Sequence, residues 1–260
     1  MDVSISGVRA ASYYALLRYR RVWRGTVVIS VANPALFLTG LGFGLGKLVD
    51  HRHSHYLAGA SYIAFLAPGL LAAAMMQTAY IESAGPVHNA ARSGGAYRVA
   101  TATPVTPAEV FLAQLSFVAF RVATSATAFA LVAWAFRAVP IAGVLPLILA
   151  ATLTGLAFGA PIAAWAVTME HPATINAGFR FVIMPMYMFC GTFFAVSQLP
   201  GWLQAIVRVT PLYHGVTLCR AASTGHAGPL ATIAHLGYLA ALVGIGALAG
   251  TRSFRRVLTA

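Results

Sequence analysis

The sequence predicts an all-α integral membrane protein with six transmembrane helices. Hydrophobic residues make up 59% of the 260 residues and charged residues only 8%. A soluble domain carries about 25% charged residues, so lipid rather than water must contact most of this surface. Between the charged residues lie continuous apolar runs rather than alternating ones, which excludes a β-barrel. Each run is long enough for one helical crossing, and the runs occupy residues 25–46, 53–81, 110–136, 138–169, 181–207 and 221–251.

The first element, within residues 1–24, is predicted to be a helix lying at the membrane surface. Its aromatic residues are mixed with five arginines, and the apolar positions have helical spacing. The alternative is a plain basic flank. If this end is cytoplasmic, most of the 17 basic residues fall on cytoplasmic flanks, as the positive-inside rule requires. We therefore expect both termini in the cytoplasm, in a bacterial inner membrane. The net charge of +12 then needs no nucleic-acid partner.

The longest cytoplasmic loop is expected at residues 82–109, which is too short for a soluble domain. Residues 1–260 should therefore form one membrane domain. Gly94 and Gly95 are not part of a GxxxxGK[ST] phosphate loop, so no ATP site is expected in this chain. The piece 87–98 predicts a short helix that is broken near the glycines. Pro104 and Pro107 then predict a turn before the third crossing.

Three charged residues near membrane ends have alternative interpretations. Glu82 is either an ordinary interfacial carboxylate or a tie to the amino-terminal or loop helix, through Arg92 or Arg98. Arg121 either faces a cavity within the membrane or extends its side chain towards the cytoplasmic surface, if the third helix spans about residues 118–137. Arg180 has the same two alternatives.

The stretch between crossings five and six, residues 197–225, is too apolar for a solvated loop and is interrupted by Pro200 and Pro211. Crossing five should run from about Ile175 to Val196, and crossing six should begin between His226 and Leu230. The stretch between them predicts two short broken helices that re-enter the outer leaflet, because irregular backbone at that depth needs protein or a wet cavity around it.

Histidine and cysteine residues give no firm metal or disulfide signal. The three histidines of the first outer loop, at 51, 53 and 55, lack further ligands nearby, so no metal is expected. Cys190 and Cys219 lie in apolar surroundings, where buried free thiols are the simpler interpretation; a bridge between them stays open.

Residues 190–220, "CGTFFAVSQLPGWLQAIVRVTPLYHGVTLCR", together with "YIES" at 80–83 and "ATPVTPAEV" at 102–110, resemble the type-2 ABC export permeases. That family includes permeases for nodulation lipo-oligosaccharides and for daunorubicin-type drugs. The resemblance covers essentially the whole chain, although Ala195 stands where these permeases often have proline. The outer re-entrant motif is carried by Leu199, Pro200, Trp202, Pro211 and His214.

The resemblance implies an export permease that works as a dimer, with an identical or paralogous second chain, and that docks a separate ATPase subunit. ATP and Mg would be bound by that subunit, so this chain would hold no cofactor and would not itself be an enzyme. The substrate would be amphipathic: a drug, a lipid or a lipid-linked glycan. The alternative function is a secondary transporter or a membrane enzyme without an ATPase partner. The implied coupling residues are Val87, His88, Asn89, Arg92, Tyr97 and Arg98, and the substrate-path candidates are Phe179, Met184, Tyr187, Met188, Phe193 and Phe194.

Overall fold

The computed structural model describes residues 32, 35–45, 61–92, 94–225 and 228–259. Every regular element in these ranges is helical. The surface helix expected at 1–24, the three loop histidines and part of the first crossing lie outside the described residues. A π-helical segment, Leu38–Leu45, precedes the helices, which are α1 Tyr62–Ser83, α2 Gly85–Ala91, α3 Ala96–Thr101, α4 Pro107–Ala135, α5 Ile141–Ala166, α6 Pro172–Gly178, α7 Met184–Phe189, α8 Gly201–Val209, α9 Pro211–Thr224 and α10 Pro229–Leu258.

Four of the described helical segments are long and apolar enough to cross a membrane. These are Tyr62–Ala91, which combines α1 with α2, and then Pro107–Ala135, Ile141–Ala166 and Pro229–Leu258. They match crossings two, three, four and six of the sequence analysis. The described part of the chain is therefore all-helical, with several helices of membrane-spanning length.

The fifth predicted crossing is shorter than expected. A helical run extends from Pro172 through α6, a π-helical turn at Phe179–Ile183, and α7. It ends at Phe189, well before the predicted Val196. The physical reason is a turn at Gly191, which has a φ of 87° that residues with a side chain rarely adopt.

The centre of the molecule is α5, which packs against α1, α4, α9 and α10. Small residues on α5 permit this close packing. A Cβ atom added at Gly155 would lie 2.5 Å from a methyl carbon of Val122 on α4. Close backbone approach through small residues is a common way for helices to associate in membranes.

Side-chain caps define where two of the helices begin. α4 begins with a capping box, in which the Thr106 backbone N–H donates to Glu109 Oε2 at 2.8 Å and the Glu109 N–H donates to Thr106 Oγ1 at 3.4 Å. α9 begins with Thr210, whose hydroxyl oxygen accepts from the Tyr213 N–H. α4 thus begins near Glu109, as the sequence predicts.

Candidate functional site

The loop predicted to couple with a partner folds into two short helices, α2 and α3, separated by a turn at Arg92–Gly95. Gly94 has a φ of 73°, so the break lies at the glycines, as the sequence predicts. Tyr80 holds the neighbouring end of α1 to α6, because its hydroxyl donates to the Ile175 carbonyl oxygen. This end of the helix bundle, with α2 and α3, is called the loop end below.

The six predicted coupling residues do not share one face. Val87 and His88 are buried inside the chain, whereas Asn89 and Arg98 are exposed. Arg92 and Tyr97 are half-buried, and one Arg92 nitrogen lies 3.5 Å from His88 Nδ1. The sequence analysis missed Val99, which is 63% exposed and extends the exposed surface of α3. A partner could therefore contact Asn89, Arg98 and Val99 directly.

A chain of polar contacts links α3 to α4 and α1. The Tyr97 hydroxyl donates to Gln114 Oε1 at 3.0 Å, and the Gln114 amide donates to the carbonyl oxygen of Glu82 at 2.9 Å. Arg121 Nε then donates to Glu82 Oε1 at 2.9 Å. Gln114 was missed in the sequence, although a polar amide in an apolar run is a signal for such a contact.

The Glu82 contact corrects two expectations. Its carboxylate pairs with Arg121, not with Arg92 or Arg98. The Arg121 side chain does not extend to the surface, because only 7% of it is exposed and its Nε atom pairs with Glu82. The assumed helix start at about residue 118 was wrong: α4 begins at Pro107, which places Arg121 in the middle of the helix. Arg180, by contrast, is exposed.

Aromatic contacts hold α3 against α4 and α10. The Tyr97 ring lies 5.5 Å from the Phe254 ring, which lies 5.1 Å from the Phe111 ring. Arg98 also donates to the Val257 carbonyl oxygen at 3.4 Å. α3 is thus attached directly to two long helices, α4 and α10, and through Gln114 of α4 to a third, α1.

The six substrate-path candidates differ in burial. Phe179 packs on Tyr80 with ring centroids 5.4 Å apart, and Tyr187 packs on Phe193 at 5.2 Å. Phe194 is half-buried, while Met184 and Met188 are exposed. The exposed pair shares a face with Phe181, which is 80% exposed and which the sequence analysis missed.

At the other end of the molecule, α8 and α9 occupy the stretch predicted to hold two short helices. Trp202 on α8 is exposed, as is Pro200 before it, and Leu199 and Pro211 are half-buried. α9 is largely buried against α1 and α5, so it belongs to the helix bundle more than the sequence suggests. Gln204 helps to close the turn before α8 by donating to the Leu199 carbonyl oxygen at 2.8 Å.

Arg220 ties α9 to α1. Its guanidinium donates to the Gly191 carbonyl oxygen at 2.6 Å and to the Phe65 carbonyl oxygen at 3.3 Å, and it stacks 3.7 Å from the Phe65 ring centroid. This structural role of Arg220 was not predicted from the sequence. Its place at the end of the quoted motif was the available signal for a structural role.

His214 pairs with His235 between α9 and α10. Their Nδ1 atoms are 2.7 Å apart, so one carries a proton and donates it to the other. Tyr238 stacks on His214 with a centroid distance of 3.9 Å. Burial lowers the pKa of His214, and the charge that His235 can carry lowers it further, whereas the Arg208 carbonyl opposes the shift.

The described residues include neither a candidate metal site nor a disulfide. No group of three or more potential ligands from His, Cys, Asp and Glu occurs among the residues that the structure describes. Cys190 and Cys219 are both buried and free, and the Cys190 sulfur lies 3.1 Å from Thr210 Oγ1.

The long apolar helices, the short helices at the loop end and the pair α8–α9 are those of a multi-pass membrane protein. The chain belongs to the ABC-2 type transporter family, whose model matches residues 7–223. The resemblance drawn from the three motifs is confirmed.

Curated relatives cover nearly the full chain. It is 29% identical to Nodulation protein J of Rhizobium meliloti over 245 residues, which is 93% of this chain and 90% of the relative. It is 28% identical to Nodulation protein J of Neorhizobium galegae, with 94% and 90% covered. The protein of the same name from Bradyrhizobium diazoefficiens is 30% identical, with 93% and 90% covered.

Proposed function

We propose that this chain is the transmembrane subunit of an ATP-driven exporter, which a separate ATPase subunit drives. The observation that supports this most directly is the attachment of α3. This short helix contacts α4 through the Tyr97–Gln114 hydrogen bond and α10 through the Tyr97–Phe254 ring contact, and Gln114 in turn donates to the Glu82 carbonyl oxygen on α1. A force applied to α3 would therefore reach three long helices at once.

The proposed mechanism is a rigid-body movement. ATP-driven closure of two ATPase subunits would shift α2 and α3, and the Tyr97–Gln114–Glu82–Arg121 chain would carry the shift to α1 and α4. Packed helices respond to such a shift by rotating as units rather than by bending. The chain itself contributes no nucleotide chemistry in this scheme.

The proposed assembly is a dimer with six crossings per chain, both termini in the cytoplasm and the loop end facing the ATPase. The helical run Pro172–Phe189 would be the fifth crossing, and α8 and α9 would re-enter the outer leaflet. The apolar face of Phe181, Met184 and Met188, exposed in the single chain, would contact the second permease chain.

The proposed substrate is amphipathic: a drug, a lipid or a lipid-linked glycan. Methionine and aromatic side chains adapt to apolar ligands of different shape, and the exposed face of the Pro172–Phe189 run is rich in both. A secondary transporter would need a buried acid for ion coupling. In the described part of the chain, Glu82 pairs with Arg121, and Glu170 is exposed. Glu109 is buried, but its carboxylate accepts the Thr106 N–H in the cap of α4, so the carboxylate is already engaged at the start of a helix.

Co-purification from native membranes in mild detergent tests this proposal. We expect an ATPase subunit in near-equal ratio with the chain. Asn89→Arg combined with Val99→Asp should release it, because both side chains are exposed at the loop end and neither substitution disturbs the interior. The matched control is Val209→Asp on α8. The Val209 carbonyl oxygen accepts a hydrogen bond from the Tyr238 hydroxyl on α10. Along α10, Tyr238 lies about 28 Å from Val257, which contacts α3. Val209 is therefore far from the loop end.

Two outcomes would contradict the proposal. One is a chain that purifies alone and shows no ATP-dependent transport with any candidate ATPase; the secondary-transporter alternative would then gain support. The other is equal loss of the ATPase in the Val209→Asp control, which would show that the loop-end substitutions act through general destabilisation.

A further inference from the structure

A basic cleft lies at the carboxyl end of α10, on the loop end of the molecule. It has a volume of about 470 Å³ and is lined by Arg252, Ser253, Arg255, Arg256 and Thr259. The volume is within the range of small-ligand sites, roughly 300–1,000 Å³. The opposite face of the same helix end is buried through Phe254 and Leu258, so packing fixes the direction in which the arginines point.

The three arginines have no acidic partner in the part of the chain that the structure describes. The acids there are Glu82, which pairs with Arg121, and Glu109 and Glu170, neither of which contacts this cleft. All three guanidinium groups are exposed. Three like charges within two helical turns repel one another, and the negative end of the helix dipole offsets this only in part. An anion in the cleft would remove the repulsion.

The cleft continues an apolar face of α10. Ile245 and Leu248 are 63% and 61% exposed, and Arg252 follows Leu248 by one helical turn on the same face, about 6 Å along the axis. Arg256 lies one further turn along. A molecule that contacts both parts must have an apolar portion at least several ångströms long with an anionic group at its end.

We propose that this cleft binds the headgroup of an anionic phospholipid, whose acyl chains lie along Ile245 and Leu248. The guanidinium groups would contact the phosphate, and the Ser253 hydroxyl would donate a hydrogen bond to a headgroup oxygen. The Thr259 hydroxyl already donates to the Arg255 carbonyl oxygen at 2.6 Å, so Thr259 only lines the cleft. Basic residues at the end of a transmembrane helix are common flanks; the cleft and the apolar face leading into it are what distinguish this end. Basic pockets of this kind suit anionic headgroups.

Native mass spectrometry of the purified full chain tests the site. We expect phosphatidylglycerol to stay bound where phosphatidylethanolamine with the same acyl chains is lost. Arg252→Gln combined with Arg256→Gln should weaken phosphatidylglycerol binding roughly 30-fold, because each basic residue near an anionic lipid contributes about fivefold. The matched control, Arg180→Gln combined with Arg208→Gln, removes two exposed arginines elsewhere and should leave binding unchanged. Equal unfolding temperatures would show that both variants are folded.

Separate binding measurements test the acyl-chain contact and the competing ligands. A short-chain phosphatidylglycerol should bind at least tenfold more weakly than a long-chain one. Inorganic phosphate that binds as tightly as the lipid would overturn the lipid assignment in favour of a free anion site. Equal retention of the two phospholipids, or unchanged binding in the Arg252/Arg256 variant, would also overturn it. So would loss of a partner ATPase in that variant with lipid binding intact, because the arginines would then serve a protein surface.

Discussion

The ion pair between Arg121 and Glu82 is a charged contact in an otherwise apolar helix pair. The side chains are 7% and 22% exposed, and the nitrogen–oxygen distance is 2.9 Å. Such a pair adds little net stability over an apolar pair, but removing one partner leaves a desolvated charge behind. We infer that the pair fixes how α1 and α4 meet at the loop end.

Arg121→Ala should lower the free energy of unfolding by about 3 kcal/mol, since it leaves Glu82 unpaired. Adding Glu82→Gln to this variant should restore part of the loss, because the uncompensated charge is then gone. Thermal unfolding in detergent, measured as a double-mutant cycle, gives both values. Arg180→Ala, at an exposed arginine, should change stability by less than about 0.5 kcal/mol. Additive losses in the cycle would contradict the pairing.

The histidine pair between α9 and α10 predicts a loss of stability in acid. The pKa of His214 is lowered in the folded chain from its ordinary value of 6.5. The unfolded chain therefore binds a proton more readily, so the contribution of His214 is complete above pH 6.5 and falls as the pH drops below it. Tyr213, Tyr238 and His235 surround the ring.

We expect the unfolding temperature to fall between pH 7.5 and pH 5.5, and to fall less in His214→Gln, which cannot be protonated. Differential scanning fluorimetry at matched ionic strength measures both. Replacing the exposed His171, which lies before α6, should leave the acid sensitivity as it is. The same temperature drop in His214→Gln and in the unchanged chain would show that other groups cause it.

At the scale of helices, packing around α5 depends on small residues. Gly155→Ala should destabilise the fold by about 1–3 kcal/mol, because the added methyl group meets Val122 at 2.5 Å and a β-branched neighbour cannot move aside cheaply. The matched control is Gly244→Ala on α10, where a Cβ atom would meet nothing within 4 Å. That substitution should be neutral or stabilising by up to about 1 kcal/mol, since alanine favours helix. If both substitutions changed the free energy of unfolding in the same direction, the result would contradict this packing.

Local chemistry predicted those helix features that depend on neighbouring residues. Three features follow from glycine, proline and charge positions along the chain. They are the break at Gly94 and Gly95, the start of α4 at Pro107 and the start of α10 within residues 226–230. The early end of the fifth helical run was not predicted, because a positive φ at Gly191 leaves no signal in a continuous apolar stretch.

The features of the site that the sequence did not predict are contacts between residues far apart along the chain. His214 and His235 lie 21 positions apart and Glu82 and Arg121 lie 39 apart, so their pairing depends on how the helices are arranged. The sequence identified Glu82 and His214 as candidates, but it could not supply their partners. The burial of Val87 and His88 has the same origin, since α2 could equally have turned its other face inwards.

At the scale of the whole molecule, the single chain exposes a large apolar face on the Pro172–Phe189 run. Phe181, Met184 and Met188 recur at helical spacing along it. Lipid can cover such a face, and so can a second permease chain in the dimer proposed above. In a dimer, the same residue of the two chains lies close together across the interface. If lipid covers the face, the two copies of that residue are far apart.

Cysteine cross-linking in membranes distinguishes them. Cys190 and Cys219 are buried and free, so a background with both changed to alanine removes their thiols from the experiment. In that background, Phe181→Cys should form covalent dimers with a short bis-maleimide, because a two-fold interface brings equivalent positions together. The control, Ile233→Cys, is 64% exposed on α10 and should remain monomeric if that face contacts lipid. Equal yields at the two positions would indicate random collision, and dimers at residue 233 alone would move the interface to α10 and leave the Phe181 face to lipid.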